Sequence, residues 1–236
     1  MRHDAGWTIS EVNLTSLPQL TNSLLKHTSQ YVTVRTASHR DTSKTINREQ
    51  CKTVEYRLLS FHYQVIQRRQ DGSVDFYRNW AEYKEGFGNV NTEFWLGNEQ
   101  INRLTADGSF ELLIDMTDHL DDMKFARYSH FRIDTEDSNY ALNISGYTGT
   151  AGDSLTWHNG EQFSTKDRNN DKNSGNCAVI YKGAWWYTDC GASNLNGLYL
   201  TYDTYDTYDY RGINWYHFKN KWESLKKIVM MVKRAP

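Results

Sequence analysis

Short apolar runs, many of them alternating with polar positions, recur along the second part of the chain and predict β-strands. One short helix is predicted from Asn98 to Thr105, where Ile101 and Leu104 lie three residues apart behind an asparagine cap. Because helix is the minority, the pattern favours an α+β fold built on a mainly antiparallel central sheet. The four clearest strand candidates are Phe110–Met116, Phe125–Ile133, Tyr140–Gly146 and Ile228–Val232.

The chain changes character near residue 65, where we place a boundary. Residues 1–65 are rich in Ser, Thr, Leu and basic residues and contain a single glycine, Gly6. From Gln67 onward Gly, Asp, Asn and Trp become frequent and turn signals recur, which predicts that residues 66–236 form one globular domain of short strands and elaborate loops. Within it, residues 147–214 show little periodicity, and a stretch of that length predicts a functional region organised by its own crosslinks or ions.

Composition narrows the classes of partner. The 236 residues include 27 Lys plus Arg against 29 Asp plus Glu, a net charge of −2, so the chain has no global positive field and nucleic acid is not predicted as a partner. No run of about 18 apolar residues occurs, so no membrane span is predicted. The segment from Met1 to Val12 lacks the charged and apolar regions of a secretory signal, and no export signal is predicted in this chain.

The densest group of oxygen-bearing side chains lies between Asp167 and Gly175. Acidic or amide side chains stand at the alternating positions 167, 169, 171 and 173, and a tight turn can bring such oxygens together around a hard cation such as calcium. An EF-hand is excluded because Lys172 and Ala178 occupy the positions where that loop requires Gly and Glu. A calcium site and an ordinary polar turn therefore both remain open.

Two of the three cysteines, Cys177 and Cys190, lie 13 positions apart, and neither is flanked by a further zinc ligand. This spacing favours a disulfide over a metal, with a contribution of about 3 kcal/mol from closing the loop and an oxidising compartment as its setting. Cys51 is left as a free thiol or as one half of an intermolecular bridge. The sequence contains no nucleophile elbow, phosphate-binding glycine loop or zinc-protease motif, so no enzyme is predicted.

Two further patterns are weaker signals. Glycosylation sequons occur at Asn13-Leu-Thr15 and Asn143-Ile-Ser145, but such triplets often arise by chance, and Asn143 falls in a predicted strand. Residues 201–209 repeat Thr-Tyr-Asp three times, and a period of three suits neither a strand face nor a helix stripe. We interpret the repeat as an exposed, acidic and aromatic loop.

A set of long, ordered motifs closely resembles the fibrinogen C-terminal globular domain, also called the fibrinogen-related domain, over about residues 66–234. Residues 1–65 depart from that family's pattern, and we expect a divergent or truncated amino-terminal segment there. The motifs that carry the resemblance are Gln67–Trp80, Tyr83–Gly88, Glu93–Asn98, Gly149–Ser154, Phe163–Asp167, Gly183–Trp186, Asn194–Gly197 and Gly212–Trp215.

The resemblance implies an extracellular recognition module without enzymatic activity. The family includes fibrinogen chains, ficolins, tachylectins, tenascins and angiopoietins, and its fold has an antiparallel central sheet followed by a loop-rich subdomain with calcium beside a ligand pocket. We expect a secreted lectin-like module that binds acetylated or acidic glycan groups, with a role in innate immune recognition and as a homo-oligomer for avidity. The alternative is a protein-binding module of extracellular matrix or receptor signalling, with a vestigial sugar pocket.

Carried over by position, the calcium ligands are the side chains of Asn169 and Asp171 and the backbone carbonyls of Asn173 and Gly175. The family usually has Asp where this chain has Asn169. Removing one negative charge from a site with few carboxylates weakens calcium binding, so we expect a weak site.

The ligand pocket is also carried over by position. The resemblance implies a Cys177–Cys190 disulfide, a cis peptide between Asp189 and Cys190, and backbone donors there for an acetyl or carboxylate oxygen. Tyr181 matches a tyrosine of the acetyl-binding members, whereas Gly191 replaces their histidine. The third pocket region falls on the Thr-Tyr-Asp repeat, where either Tyr208 or Tyr210 would serve.

Overall fold

A computed structural model of the chain describes residues 63–201 and 210–235, together with two short strands near the amino terminus. Those two strands, Val32–Thr33 (β1) and Thr45–Ile46 (β2), pair with each other in antiparallel orientation. The predictions made for Asn13, Cys51 and Tyr208 lie outside the described residues.

The main body is a seven-stranded sheet. Its strands are Gln64–Arg69 (β3), Phe87–Gly88 (β4), Phe94–Trp95 (β5), Phe110–Thr117 (β6), Met123–Ile133 (β7), Leu142–Gly149 (β8) and Lys227–Arg234 (β11). They lie in the order β4-β5-β3-β11-β6-β7-β8, with every neighbouring pair antiparallel. The carboxy-terminal strand of the sheet, β11, therefore lies at its centre, where Met230 stands opposite Gln67 on one side and Ile114 on the other.

Alternation of side chains explains which face of the sheet is buried. In β6, Leu112, Ile114 and Met116 are buried at every second position, as the period of two in a strand requires. Two helices accompany the sheet, Trp80–Glu85 (α1) and Asn98–Ala106 (α2). The Asn79 side chain accepts from the Glu82 N–H and the Glu82 side chain accepts from the Asn79 N–H, a capping box that fixes the start of α1.

A buried carboxylate organises the turn that follows β3. Glu93 is fully buried, and its two carboxylate oxygens accept four backbone N–H groups at 2.7 to 3.1 Å. Arg69 is also buried, and its Nε lies 3.7 Å from the Glu93 Oε1. The Arg69 Cζ lies 3.8 Å from the centroid of the Phe76 ring. Burial lowers the pKa of Arg69 to about 10, and the neighbouring Glu93 opposes this shift, so the guanidinium stays charged at neutral pH. The four N–H donors belong to Gln70, Asp71, Gly72 and Val74.

The predicted α+β class is confirmed, as are the predicted helix at residue 98 and the four predicted strands, whose ends move by up to three residues. Residues 150–201 and 210–215 contain little regular structure: one 3-10 turn, Thr156–His158, one α-helical turn, Cys177–Ile180 (α3), and an antiparallel pair of two-residue strands, Ser193–Asn194 (β9) and Asn214–Trp215 (β10). The proposed domain limits at residue 65 and at 147–214 stay predictions. None of the helices in the described ranges has the length and apolar content needed to cross a bilayer.

Candidate functional site

The loop-rich region is built around the Cys177–Cys190 disulfide. The structure forms this predicted bridge, with Cα atoms 5.2 Å apart, and the Cys190 N–H points at the Cys177 Sγ at 3.2 Å. Cys177 begins the single turn α3, which is capped by Asn176, whose side-chain oxygen accepts from the Val179 N–H at 3.2 Å. The disulfide thus joins the α3 turn covalently to the segment that contains Asp189, Cys190 and Gly191.

The four residues predicted to bind calcium lie in one hydrogen-bonded turn. The Asn169 Nδ2 donates to the Gly175 carbonyl at 2.9 Å, and the Asn169 Oδ1 accepts from the Asp171 N–H at 3.1 Å. The Asp171 Oδ1 accepts from the Asn173 N–H at 3.0 Å, and the Asn173 Oδ1 accepts from the Gly175 N–H at 2.8 Å. Each of these three side-chain oxygens thus accepts from the backbone N–H two residues further along, which is the pattern of a polar turn. Binding of calcium by these residues stays a prediction.

Asp171 is the carboxylate within this turn, and a second carboxylate lies close by. The Asp171 Oδ2 accepts from the Cys177 N–H at 2.9 Å, and the Asn173 amide donates to Asp189. Burial raises the pKa of Asp171, and the negative charge of Asp189 raises it further. Within the described ranges no group of three or more His, Cys, Asp or Glu side chains is arranged to hold a metal. The four predicted residues instead offer one carboxylate, from Asp171, with amide and carbonyl oxygens, and oxygen donors of this kind suit a hard cation.

The backbone at Cys190 and Gly191 differs from the prediction. No peptide bond in the described residues is cis, so the predicted cis bond between Asp189 and Cys190 is wrong. The chain instead reverses direction through positive backbone φ angles, 47° at Cys190 and 131° at Gly191.

Gly191 also lies directly against a buried histidine. A β-carbon at residue 191 would lie 2.1 Å from the Cε1 of His158 and 2.7 Å from its Nε2, well inside contact distance. Position 191 therefore has room only for glycine, and the His158 ring occupies the adjoining space. The histidine of the acetyl-binding family members cannot be placed at residue 191 in this arrangement.

His158 lies in a 3-10 turn, Thr156–His158, and is fully buried. Its Nδ1 lies 2.7 Å from the Trp186 carbonyl, which assigns the proton to that nitrogen, and its Nε2 accepts from the Ala192 N–H at 3.1 Å. Burial lowers the pKa of His158 to about 4, so the ring is neutral at neutral pH. The ring connects the segment before Cys190 to the segment after it.

Beside the disulfide, four aromatic side chains form what we call the aromatic face: Tyr181, Tyr210, Tyr216 and Trp222. The ring centroid of Tyr181 lies 5.0 Å from that of Tyr210 and 6.1 Å from that of Trp222, and Trp222 lies 5.4 Å from Tyr216. Tyr210 is 43% exposed, and the other three are half-buried. Burial raises the pKa of Tyr181, as do the neighbouring Tyr210 and the negative charge of Asp189.

A buried amide holds the two tyrosines of this face in place. The Asn194 Nδ2 donates to the Tyr181 carbonyl at 2.9 Å and to the Tyr210 carbonyl at 3.4 Å. The Asn194 Oδ1 accepts from the Tyr187 hydroxyl at 2.6 Å. Because Asn194 is fully buried, these bonds are shielded from water and fix the spacing of the two backbone segments.

Among the predicted pocket residues, the structure places Tyr181 against Tyr210, whereas the Asp189 carboxylate accepts from the Asn173 amide. Cys190 and Gly191 follow in the chain, but the glycine faces the His158 ring. The sequence reading missed His158, Asn194, Tyr216 and Trp222. Asn194 lies in one of the family motifs quoted above and could have been found there, whereas Trp222 lies outside all of them.

Comparisons with known proteins agree with this architecture. The family described as fibrinogen beta and gamma chains, C-terminal globular domain, matches residues 58–235. Tenascin-R of Rattus norvegicus is 48% identical over 169 residues, which cover 72% of this chain and 12% of that protein. Angiopoietin-related protein 2 of Homo sapiens is 48% identical over 172 residues, which cover 73% of this chain and 35% of that protein. The chain therefore matches only a minor part of these relatives.

Solved structures are also similar. The fibrinogen-like globe domain of human ANGPTL2 superposes with a TM-score of 0.71 at 40% identity, covering 92% of this chain and 98% of that one. Lamprey fibrin D-dimer, complexed with the peptide ligand Gly-His-Arg-Pro-amide, gives a TM-score of 0.66 at 37% identity, covering 73% of this chain and 61% of that one.

Proposed function

The chain belongs to the family of fibrinogen C-terminal globular domains, and from this premise we propose that it is an extracellular protein-binding module and not an enzyme. The similarity to tenascin-R and angiopoietin-related protein 2 favours a role in the extracellular matrix or in receptor signalling. The Cys177–Cys190 disulfide supports an oxidising, extracellular setting. Assembly into a homo-oligomer stays a prediction.

The contact between Gly191 and His158 is the observation that favours a protein ligand over an acetylated glycan. In the acetyl-binding members a histidine at this position lines the pocket, but here the His158 ring leaves no space for a side chain at residue 191. The aromatic face, by contrast, remains accessible through Tyr210. Aromatic side chains are enriched at protein interfaces because they offer a large apolar area with a polar edge.

The charge beside the aromatic face indicates the chemistry of the ligand. The negative charge of Asp189 contributes, after burial and the neighbouring Tyr210, to the raised pKa of Tyr181, so the field of this carboxylate reaches the ring. A cationic side chain would gain from the carboxylate and from the ring, and a cation over an aromatic ring contributes about 0.5–2 kcal/mol. The peptide held by lamprey fibrin contains His and Arg, which supports the same class. We therefore propose that the ligand is a cationic peptide segment of an extracellular protein.

We also propose that calcium supports this site. Asn169 and Asp171 would offer side-chain oxygens, and Asn173 and Gly175 would offer backbone carbonyls. Bound calcium would neutralise the Asp171 carboxylate and crosslink the turn. Since Asn173 donates to Asp189, order in the turn would extend to the Asp189 carboxylate, whose charge acts on Tyr181.

Binding to an immobilised peptide tests the proposed function. The full chain would be applied to Gly-His-Arg-Pro-amide, to Gly-His-Ala-Pro-amide and to an N-acetylglucosamine resin. We expect retention on the first alone, and a loss of at least tenfold in affinity for Tyr181→Ala and for Asp189→Asn. Trp157→Ala is the matched control, because Trp157 is 72% exposed but lies outside the aromatic face, and it should bind like the unmodified chain.

Retention on the sugar resin, released by free acetate, would refute the peptide proposal and favour the lectin-like alternative. That alternative is supported by Tyr181 and by the position of the disulfide. A folded, disulfide-bonded chain that binds neither peptide would exclude the cationic peptide class as well.

A further inference from the structure

The sequon Asn143-Ile-Ser145 lies on β8, which is an edge strand of the seven-stranded sheet. Leu142 and Ile144 are buried, whereas Asn143 and Ser145 are exposed. In a strand, residues two apart lie on the same face, so the Asn and Ser side chains project together toward solvent. A strand location, which made this sequon a weak signal in the sequence, thus leaves both of its functional side chains accessible.

The amide of Asn143 is not used by the fold. Across the described residues its side chain makes no hydrogen bond, and its cross-strand neighbour Arg132 pairs with Asp134 at 3.1 Å instead. Other asparagine side chains of the domain form hydrogen bonds. The Asn194 side chain bonds to four partners, and the Asn159 Oδ1 accepts from the Ile144 N–H at 2.8 Å. A group attached to Asn143 would therefore break no existing interaction.

The backbone around Asn143 is nonetheless fixed. The Leu142 N–H donates to the Glu161 carbonyl at 2.9 Å, and the Gly160 N–H donates to the Leu142 carbonyl at 2.7 Å. Together with the pairing to β7, these bonds hold β8 on both of its edges at this point. The side chain of Asn143 is presented from a rigid, extended segment.

We propose that Asn143 carries an N-linked glycan, an inference that rests on the extracellular placement of the proposed function. In the transfer, the Asn143 Nδ2 forms a bond to C1 of the terminal N-acetylglucosamine of a lipid diphosphate-linked oligosaccharide. The bond from C1 to the diphosphate oxygen breaks, the lipid diphosphate leaves with the electron pair, and the amide nitrogen loses one proton.

The glycan has a physical consequence for the sheet. The segment at residues 159–161 covers β8 only near Leu142 and Ile144, while residues 145, 146, 148 and 149 are exposed and no further strand pairs with β8 in the described residues. An exposed edge strand can pair with another chain and cause aggregation. A bulky glycan on Asn143 would obstruct that approach.

Cell-free translation with microsomes tests the modification, using the chain behind a heterologous secretion signal. We expect protease-protected chains to lose mass on treatment with a peptide amidase that removes N-glycans, and the peptide containing residue 143 to be recovered with Asp in place of Asn. Ser145→Ala should abolish the change at this peptide, and Ser145→Thr should retain it. Asn13→Gln is the control, because it removes only the other sequon.

Protease-protected chains in which Asn143 is unmodified would overturn the proposal. The result is separable from the proposed function, because glycosylation is scored without any ligand and peptide binding is scored on purified chain. Light scattering tests the shielding role: Asn143→Gln and Ser145→Ala should both aggregate at least twofold faster than the glycosylated chain. Equal rates would refute that role.

Discussion

A β-carbon on Gly191 would lie 2.1 Å from the Cε1 of His158, so the residue after the second cysteine of the disulfide can only be glycine while the ring keeps its place. The ring is held by hydrogen bonds to Trp186 and Ala192, one on each side of the disulfide loop. The missing side chain at residue 191 and the buried histidine are therefore one structural feature. It reshapes the position where acetyl-binding relatives present a histidine.

We expect Gly191→Ala to lower the free energy of unfolding by about 3 kcal/mol, because the new methyl group overlaps the His158 ring and the φ of 131° disfavours a side chain. Gly160→Ala is the matched control: Gly160 also has a positive φ, 83°, but nothing lies within 4 Å of its β-carbon position. Gly160→Ala should lower the free energy of unfolding by only about 1 kcal/mol. Equal losses in urea unfolding would show that the overlap contributes nothing.

His158 should make stability depend on pH. Its pKa is about 4 in the folded chain against an ordinary 6.5, because burial disfavours the charged ring, and the hydrogen bond to the Trp186 carbonyl and the negative charge of Asp153 offset this only in part. Between these values the unfolded chain binds the proton more tightly, so the contribution is fully present above pH 6.5 and declines as the pH falls toward 4. When His158 is fully protonated in both states, the free energy of unfolding is about 3 kcal/mol lower than at neutral pH.

Urea unfolding of the native chain and of His158→Gln between pH 4 and 7 measures this contribution. The neutral glutamine keeps hydrogen-bonding capacity but does not titrate in this range, so the difference between the two chains should shrink as the pH falls. A difference that is constant with pH would contradict the assignment of a neutral, buried ring.

The strands and the α2 helix could be predicted because their information is local. Leu112, Ile114 and Met116 alternate with half-buried residues, and that period survives in the structure. The contact between Gly191 and His158 could not be predicted, since it joins positions 33 residues apart through backbone angles that no periodicity encodes. Trp222 reaches the aromatic face for the same reason: loop closure, and not spacing, brings it near Tyr181.

The predicted calcium turn is an intermediate case. Alternating oxygen-bearing residues indicated a turn in which side chains 169, 171 and 173 could converge, and in the structure each of them accepts from the backbone N–H two residues further along. The approach of Asp189 depends instead on the disulfide loop folding back, which brings its carboxylate to the Asn173 amide. The local spacing of residues therefore predicted the turn but not the approach of Asp189.

Glu93 should be among the most sensitive positions of the domain. Glu93→Ala removes the shared acceptor of four backbone N–H groups and leaves the buried Arg69 charge without its carboxylate, and we expect a loss of about 4 kcal/mol in the free energy of unfolding. Asp121→Asn is the control, because it removes a carboxylate from an exposed ion pair with Lys226 and should change nothing measurable. Guanidinium unfolding would compare the two, and a Glu93→Ala chain as stable as the control would contradict the structural role.

Calcium should stabilise the chain through Asp171. At a concentration of 100 times the dissociation constant, a ligand that binds only the folded state raises the free energy of unfolding by about 2.7 kcal/mol. Asp171→Asn should abolish this increment, because it removes the carboxylate from the proposed ligand set. Asn169→Asp should lower the calcium concentration needed for half of the effect, because it adds a second carboxylate to that set.

Asn170→Asp separates a ligand effect from a change in net charge. It adds the same charge at the adjacent position, but the Asn170 side chain is directed away, donating to the Phe163 carbonyl at 2.7 Å. We expect its baseline stability to fall, since that hydrogen bond is lost, while its response to calcium stays that of the native chain. If Asn170→Asp strengthens the calcium response as much as Asn169→Asp, general electrostatics explains the effect. If the native chain itself unfolds identically in calcium and in chelator, the turn between Asn169 and Gly175 is a polar turn and does not bind calcium.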